Sequence, residues 1–134
     1  MYAIEVEARF SAAHALRLPG GTLEPLHGHD FLVTVRVEAD TLDSMETVLD
    51  FHALQQWLAE VLAPWQNRTL NDLEPFRTTI NPSAERIAQQ IGTHLLPRLE
   101  QVSQNSPRRA LRLAHVRITE APGCLAIWSP DPAS

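Results

Sequence analysis

Apolar and polar residues alternate strictly from Phe31 to Val37, with every second side chain apolar. This pattern predicts a half-buried strand, which we place at His27–Ala39. Residues 2–10 alternate in the same way and predict an earlier strand with one apolar face. The segment between the two strands contains prolines and paired glycines, so we expect a loop that joins antiparallel neighbours.

Two later segments repeat apolar residues at helical spacing. The first predicted helix begins after Asp50, whose carboxylate can cap it, and ends near Pro64. The second begins at Asn81, the predicted cap, with Pro82 at the first helical position, and it ends within residues 97–100. Residues 67–79 show no period and are predicted as a long loop.

Two further strands are predicted near the end of the sequence. Residues 111–120 are strand-like, with Glu120 on the same side as Val116 and Ile118. A Pro-Gly turn signal then leads into a short last strand at Cys124–Trp128. The order strand, strand, helix, helix, strand, strand predicts an α+β fold, in which an antiparallel four-stranded sheet carries both helices on one face. With 134 residues, we expect a single domain spanning residues 1–134.

Composition narrows the classes of partner. The formal net charge of −5 and the pI near 5.6 argue against a surface that binds nucleic acid. No apolar stretch approaches the length that crosses a membrane, and the first residues lack the basic and apolar regions of a signal peptide. The single cysteine, Cys124, excludes a disulfide within the chain and fits a reducing compartment. We therefore expect a cytoplasmic protein with neither nucleic-acid nor membrane partners.

Three histidines stand close to the predicted strand ends. His27 and His29 project to the Phe31 side of the second strand, so both imidazoles can reach one point in space. His14 closes the segment that follows the first strand and can supply a third nitrogen. Three neutral imidazoles without a nearby thiolate suit Zn²⁺, with a fourth position left for water or substrate. Because an H-x-H pair often occurs by chance, ordinary surface or core histidines are the alternative interpretation.

Two motifs, FSAAH at residues 10–14 and LHGHDF at residues 26–31, closely resemble the 6-pyruvoyl- and 6-carboxytetrahydropterin synthase family. The order of elements resembles the family over nearly the whole chain. The resemblance implies the tunnelling fold, in which subunits join their sheets into a barrel with active sites between chains. It also implies a zinc ion held by His14, His27 and His29, a pterin substrate, and a homo-oligomer that is a trimer or a hexamer.

Two glutamates receive roles from the same resemblance. Glu120 corresponds to a glutamate that binds the pterin, accepting paired hydrogen bonds from its amino-pyrimidinone edge. Glu24, three residues before His27, matches a branch of the family that uses glutamate in place of the catalytic cysteine. Members of that branch cleave the side chain of dihydroneopterin to give 6-hydroxymethyl-dihydropterin. For both residues, an ordinary solvated acid is the alternative interpretation.

The sequence departs from the classical family pattern at three positions. Leu23 stands where the catalytic cysteine is expected. Gln66 and Asn67 stand where an Asp-His pair is expected ahead of the LND sequence at residues 70–72. None of these three side chains can transfer a proton, so the standard synthase reactions are not the expected ones.

Two hypotheses from different classes follow. The first is a zinc-dependent lyase that acts on the side chain of 7,8-dihydroneopterin or its triphosphate, in folate or queuosine biosynthesis, with Glu24 as the acid/base. The missing cysteine favours carbon–carbon cleavage over the carboxy- or pyruvoyl-forming reactions. The second hypothesis is a binding protein that keeps the metal and pterin sites without catalysis. Gln66 and Asn67 favour it, because they retain hydrogen-bonding shape while removing proton transfer.

Overall fold

A computed structural model describes residues 1–106 and 109–131 of the chain. The helices and strands in this part are β1 (Tyr2–His14), β2 (His27–Ala39), α1 (Phe51–Leu62), β3 (Arg68–Thr69), α2 (Ala84–Asn105), β4 (Leu111–Ala121) and β5 (Cys124–Trp128). This is the α+β order that the sequence predicts, with one additional strand. None of the helices in the described ranges is both long enough and apolar enough to cross a membrane.

The strands form one sheet in the order β3-β1-β2-β4-β5. The four predicted strands are antiparallel neighbours, and β1 pairs with β2 from Tyr2 opposite Ala39 to His14 opposite His27. The prediction of a four-stranded sheet was one strand short, because β3 lies in the segment predicted as a loop. Its two residues run parallel to β1. A strand of two residues has no hydrophobic period that the sequence could reveal.

One face of the sheet forms the core. In register, Val35 of β2 lies between Val6 of β1 and Val116 of β4, and each of the three is at most 3% exposed. Phe10 stacks on Phe31 across the same strand pair, with ring centroids 4.9 Å apart. Burial of each of these side chains stabilises the fold by about 1.5–3 kcal/mol. These buried side chains, packed side by side across the strands, therefore hold β1, β2 and β4 in a fixed register up to the strand ends.

The helices cover this apolar face, and α2 approaches the sheet very closely at Gly92. A Cβ atom placed on Gly92 would lie 2.1 Å from Cζ3 of Trp128 on β5. Only glycine leaves room for the indole at this point of the helix surface. The opposite face of the sheet is polar; on it Arg36 pairs with Glu5 and with Glu38.

The first helix begins and ends as predicted. The carboxylate of Asp50 caps α1 by accepting a hydrogen bond of 2.9 Å from the backbone N–H of His52. Pro64 follows in a short 3₁₀ turn at Ala63–Trp65, where the α-helix has stopped.

The second helix differs from its prediction at both ends. Ser83, not Asn81, is the cap, and its hydroxyl accepts a hydrogen bond from the backbone N–H of Arg86. The helix also continues through Pro97 to Asn105. Proline removes one helical hydrogen bond, but Leu95 and Leu99 on either side of it are buried. Burial of this face outweighs the missing bond.

Candidate metal centre

Three imidazoles converge at the end of the core-facing side of the sheet. His14 ends β1, and His27 and His29 begin β2, with His14 directly opposite His27 and Ala12 opposite His29. The ring centroids lie between 4.6 and 5.2 Å apart, and one nitrogen from each ring lies within 4.8 Å of the other two. The strand pairing that the alternation predicts therefore brings the three predicted ligands to one place.

Backbone carbonyls orient two of these rings. Nδ1 of His14 donates to the carbonyl oxygen of Pro82 at 2.7 Å, and Nδ1 of His27 donates to that of Pro25 at 2.8 Å. A ring whose Nδ1 carries the proton presents the lone pair of Nε2 to a metal. Metal-binding histidines in proteins are usually fixed in this way.

Burial points to the same use of the free nitrogens. The Nε2 atoms of His14 and His29 are buried, and neither has a hydrogen-bond partner within residues 1–106 and 109–131. A buried polar atom without a partner carries a cost of about 1–3 kcal/mol, so it requires a reason. Three nitrogen donors facing a common point fit a divalent metal such as zinc, which would satisfy these atoms.

Two carboxylates border the histidine cluster. Oε1 of Glu120 lies 3.1 Å from Nε2 of His14 and 3.7 Å from Nε2 of His29. On the other side, Oε1 of Glu24 lies 3.9 Å from Nε2 of His27. The same Glu24 oxygen accepts a hydrogen bond of 2.9 Å from the backbone N–H of Leu16. The structure thus brings together all five side chains that the sequence predicts for the site.

The three positions that depart from the classical pattern lie close by without a titratable group. Leu23 is exposed and its backbone bridges to Arg17. Oε1 of Gln66 accepts a hydrogen bond of 3.0 Å from the backbone N–H of Ser11, so its amide supports β1. Asn67 has a φ of 58° and lines a shallow cleft of about 450 Å³ that His29 also lines.

Sequence reasoning did not find the groups that hold the segment following His14. The side-chain amide of Asn71 bonds both backbone groups of Ala15, at 2.9 and 2.7 Å. The amide of Asn81 does the same at Arg17, at 2.7 and 3.1 Å. Asn81 is therefore occupied here and does not cap α2. Hydrogen bonds from a side-chain amide to distant backbone groups produce no hydrophobic pattern in the sequence. Only the LND sequence at residues 70–72 pointed to one of these residues, Asn71.

The fold and the cluster together define a class of protein. An antiparallel sheet that carries two helices on one face is the arrangement of the tunnelling fold, and in this chain three histidines that could hold a metal lie at the strand ends. The sequence model of one family, 6-pyruvoyl tetrahydropterin synthase, matches residues 3–131. The chain belongs to this family.

Solved structures share the fold at low sequence identity. The 6-pyruvoyl tetrahydropterin synthase of Caenorhabditis elegans is 22% identical, with a TM-score of 0.73 over 97% of this chain and 96% of that chain. The Plasmodium vivax synthase is 20% identical, with a TM-score of 0.69 over 96% and 98%. Variants of the P. vivax synthase, with alanine or cysteine at a catalytic residue that is otherwise glutamate, are 18% identical over 96% and 98%, with TM-scores of 0.65 and 0.64. Among curated proteins, none matches this chain.

Proposed function

We propose that this protein is a zinc-dependent lyase that acts on the side chain of 7,8-dihydroneopterin or its triphosphate and forms 6-hydroxymethyl-dihydropterin. The observation that carries the proposal is the cluster of His14, His27 and His29, with oriented rings and unpartnered Nε2 atoms, in a chain of the pterin synthase family. A homo-oligomer, trimeric or hexameric, located in the cytoplasm, belongs to the same proposal, as does a single domain over residues 1–134.

The three histidines are the proposed zinc ligands. Their donor set is nitrogen only, and it leaves a fourth position for a substrate oxygen, as in catalytic zinc sites. When bound, zinc polarises an oxygen ligand and lowers the pKa of a bound hydroxyl. The remaining work, which is proton transfer and orientation of the pterin, falls to side chains of this protein.

Glu24 is the proposed acid/base. Cleavage removes the proton of the C2′ hydroxyl, breaks the C1′–C2′ bond so that the C2′–C3′ fragment leaves as an aldehyde, and adds a proton to C1′. One group that accepts and returns a proton therefore balances the reaction. The hydrogen bond from Leu16 holds the Glu24 carboxylate in place beside His27. The P. vivax synthase, which also has a glutamate as a catalytic residue, supports this role by analogy.

Glu120 is the proposed pterin ligand. It ends the core-facing row of β4, next to the histidines, and its side chain is 31% exposed. Two carboxylate oxygens can accept both donors of the amino-pyrimidinone edge, and charge-assisted pairs of this kind are strong.

A second function, pterin binding without turnover, is favoured by one contact. The amide of Gln66 is committed to the backbone of Ser11, and neither Gln66 nor Asn67 can exchange a proton. A site of this composition can hold a pterin while lacking part of the classical proton-transfer apparatus.

A product assay distinguishes the two functions. Zinc-loaded protein is incubated with 7,8-dihydroneopterin and, separately, with its triphosphate, and products are measured by liquid chromatography and mass spectrometry. Glu24→Gln is the matched control, because glutamine can still accept the Leu16 hydrogen bond but cannot titrate. Hydroxymethyl-dihydropterin that is lost in the control supports the lyase. Unchanged substrate with pterin still bound supports the binding protein, and zinc-free protein after metal loading contradicts both.

A further inference from the structure

The Glu120 carboxylate lies closer to the histidine nitrogens than a role at the far edge of a pterin requires. Its Oε1 atom is 3.1 Å from Nε2 of His14 and 3.7 Å from Nε2 of His29. The shorter distance is within range of an ion pair, yet Nε2 of His14 has no hydrogen-bond partner. Because Nδ1 of His14 donates to the Pro82 carbonyl, Nε2 presents a lone pair, so two electron-pair donors face each other here without a proton between them.

This combination is expected for two ligands that share a metal ion. Donor atoms held about 2.0–2.1 Å from a tetrahedral zinc ion lie about 3.3–3.4 Å from one another. The two distances from Glu120 lie on either side of this value. Atoms that share an ion point at the ion and not at each other, so a short separation without a hydrogen bond follows directly.

The second carboxylate at the site behaves differently. Oε1 of Glu24 is 3.9 Å from Nε2 of His27, and it accepts a hydrogen bond from the backbone N–H of Leu16. It borders the cluster near a single histidine, whereas Glu120 lies near two. The backbone therefore holds Glu24 beside the cluster, whereas Glu120 faces two of the histidine nitrogens.

We propose that Glu120 is the fourth metal ligand while no pterin is bound, and that the incoming pterin displaces it. This inference rests on the proposed zinc site. Three histidines and Glu120 would together supply four ligands to the metal, the number that fills a structural zinc centre. Departure of Glu120 would leave one of these positions free for a substrate oxygen. Glu120 then becomes available to the amino-pyrimidinone edge of the pterin. Release of the fourth coordination position and recognition of the pterin would thus depend on one side chain.

Metal affinity and metal spectroscopy test the proposal without reference to turnover. Zinc affinity is measured by chelator competition for the wild-type protein, Glu120→Gln, Glu24→Gln and His27→Ala, all without pterin. Circular dichroism verifies that each variant is folded. Residues that only support ligands contribute 10- to 100-fold to metal affinity, so we expect Glu120→Gln, which changes a ligand, to lose more than about 100-fold in zinc affinity. Glu24→Gln should match the wild type, and His27→Ala should lose more than either.

Cobalt substitution gives a second readout. The visible absorption of the Co²⁺-loaded wild type should differ from that of Glu120→Gln before any pterin is added, and 7,8-dihydroneopterin should change the wild-type spectrum. Equal zinc affinity and equal spectra for wild type and Glu120→Gln would overturn the proposal while leaving the histidine site intact. A wild type that binds neither metal would instead overturn the proposed function.

Discussion

Nδ1 of His14 donates a hydrogen bond of 2.7 Å to the carbonyl oxygen of Pro82, across 68 positions of the sequence. This bond joins the end of β1 to the segment that precedes α2, and it fixes the most buried ring of the histidine cluster, which is 1% exposed. The other oriented ring, His27, is anchored only two positions away, to Pro25, and its side chain is 40% exposed. We therefore expect the two histidines to differ in how much the folding stability depends on them.

We expect His14→Ala to lower the free energy of unfolding of the metal-free protein more than His27→Ala does. The first substitution leaves the Pro82 carbonyl unpaired and a cavity in a buried region, at a cost of about 1–3 kcal/mol for the unpaired group. Urea unfolding in the presence of a chelator measures both variants. Equal losses of unfolding free energy in the two variants would show that the hydrogen bond to Pro82 does not stabilise the fold.

Replacement of Glu24 by glutamine should lower the rate of side-chain cleavage by about 10²- to 10⁴-fold, the usual contribution of general acid–base catalysis. Zinc content should stay unchanged, because Oε1 of Glu24 accepts a hydrogen bond from the Leu16 backbone and lies 3.9 Å from Nε2 of His27. Rate and bound zinc are measured on the same preparation. A variant that loses its zinc together with its rate would assign Glu24 to metal binding.

The backbone at Asn67 predicts a clear ranking of substitutions. Its φ of 58° lies in the left-handed region, which asparagine and glycine tolerate and which costs other residues about 1–2 kcal/mol. Asn67→Ala should lower the free energy of unfolding by about 1 kcal/mol, whereas Asn67→Gly should be nearly neutral. Urea unfolding measures the stability of the two variants. An alanine variant as stable as the glycine variant would contradict the left-handed backbone conformation at residue 67.

Gly92→Ala should destabilise the protein by about 1–3 kcal/mol or more, because its Cβ would overlap the Trp128 ring. Trp128→Leu removes the ring and provides the matched background. In a double-mutant cycle, the alanine should cost less in that background than in the wild type. Additive losses in thermal or urea unfolding would show that the two residues do not clash.

Acid should weaken the loop that leads to α1. Hydrogen bonds from the backbone N–H and then the hydroxyl of Thr47 lower the pKa of the Asp43 carboxyl below its ordinary value of 3.8. A carboxyl with a lowered pKa stabilises the fold above its unfolded-state pKa, and this contribution is lost as the pH falls through the folded-state value. Between about pH 6 and about pH 2, Asp43→Asn should therefore lose less stability than the wild type. Parallel pH curves for the two proteins would contradict this.

Much of the fold and of the candidate site was predictable because successive side chains of a strand point to opposite faces of the sheet. The alternation that buries Phe31 also turns His27 and His29 toward the core side, and the row ending in Glu120 follows from Val116 and Ile118. These side chains meet because their strands are neighbours in the sheet.

The features that escaped prediction depend on backbone groups or on distant partners. The carbonyls of Pro25 and Pro82, which orient two rings, have no signature in the sequence. Asn81 carries the usual marks of a helix cap, yet Arg17 of a remote loop occupies its amide. Continuation of α2 past Pro97 likewise depends on burial, which only the assembled core reveals.

His14, His27 and His29 all belong to a single hairpin, formed by β1 and β2. A slip of one residue in the pairing of these strands would turn His27 and His29 to the opposite face, away from His14. An ion held by the three side chains is compatible with one alignment of the hairpin and with no neighbouring one. The metal would then act as a template for folding, because its binding favours the correct alignment of β1 and β2 over the neighbouring ones.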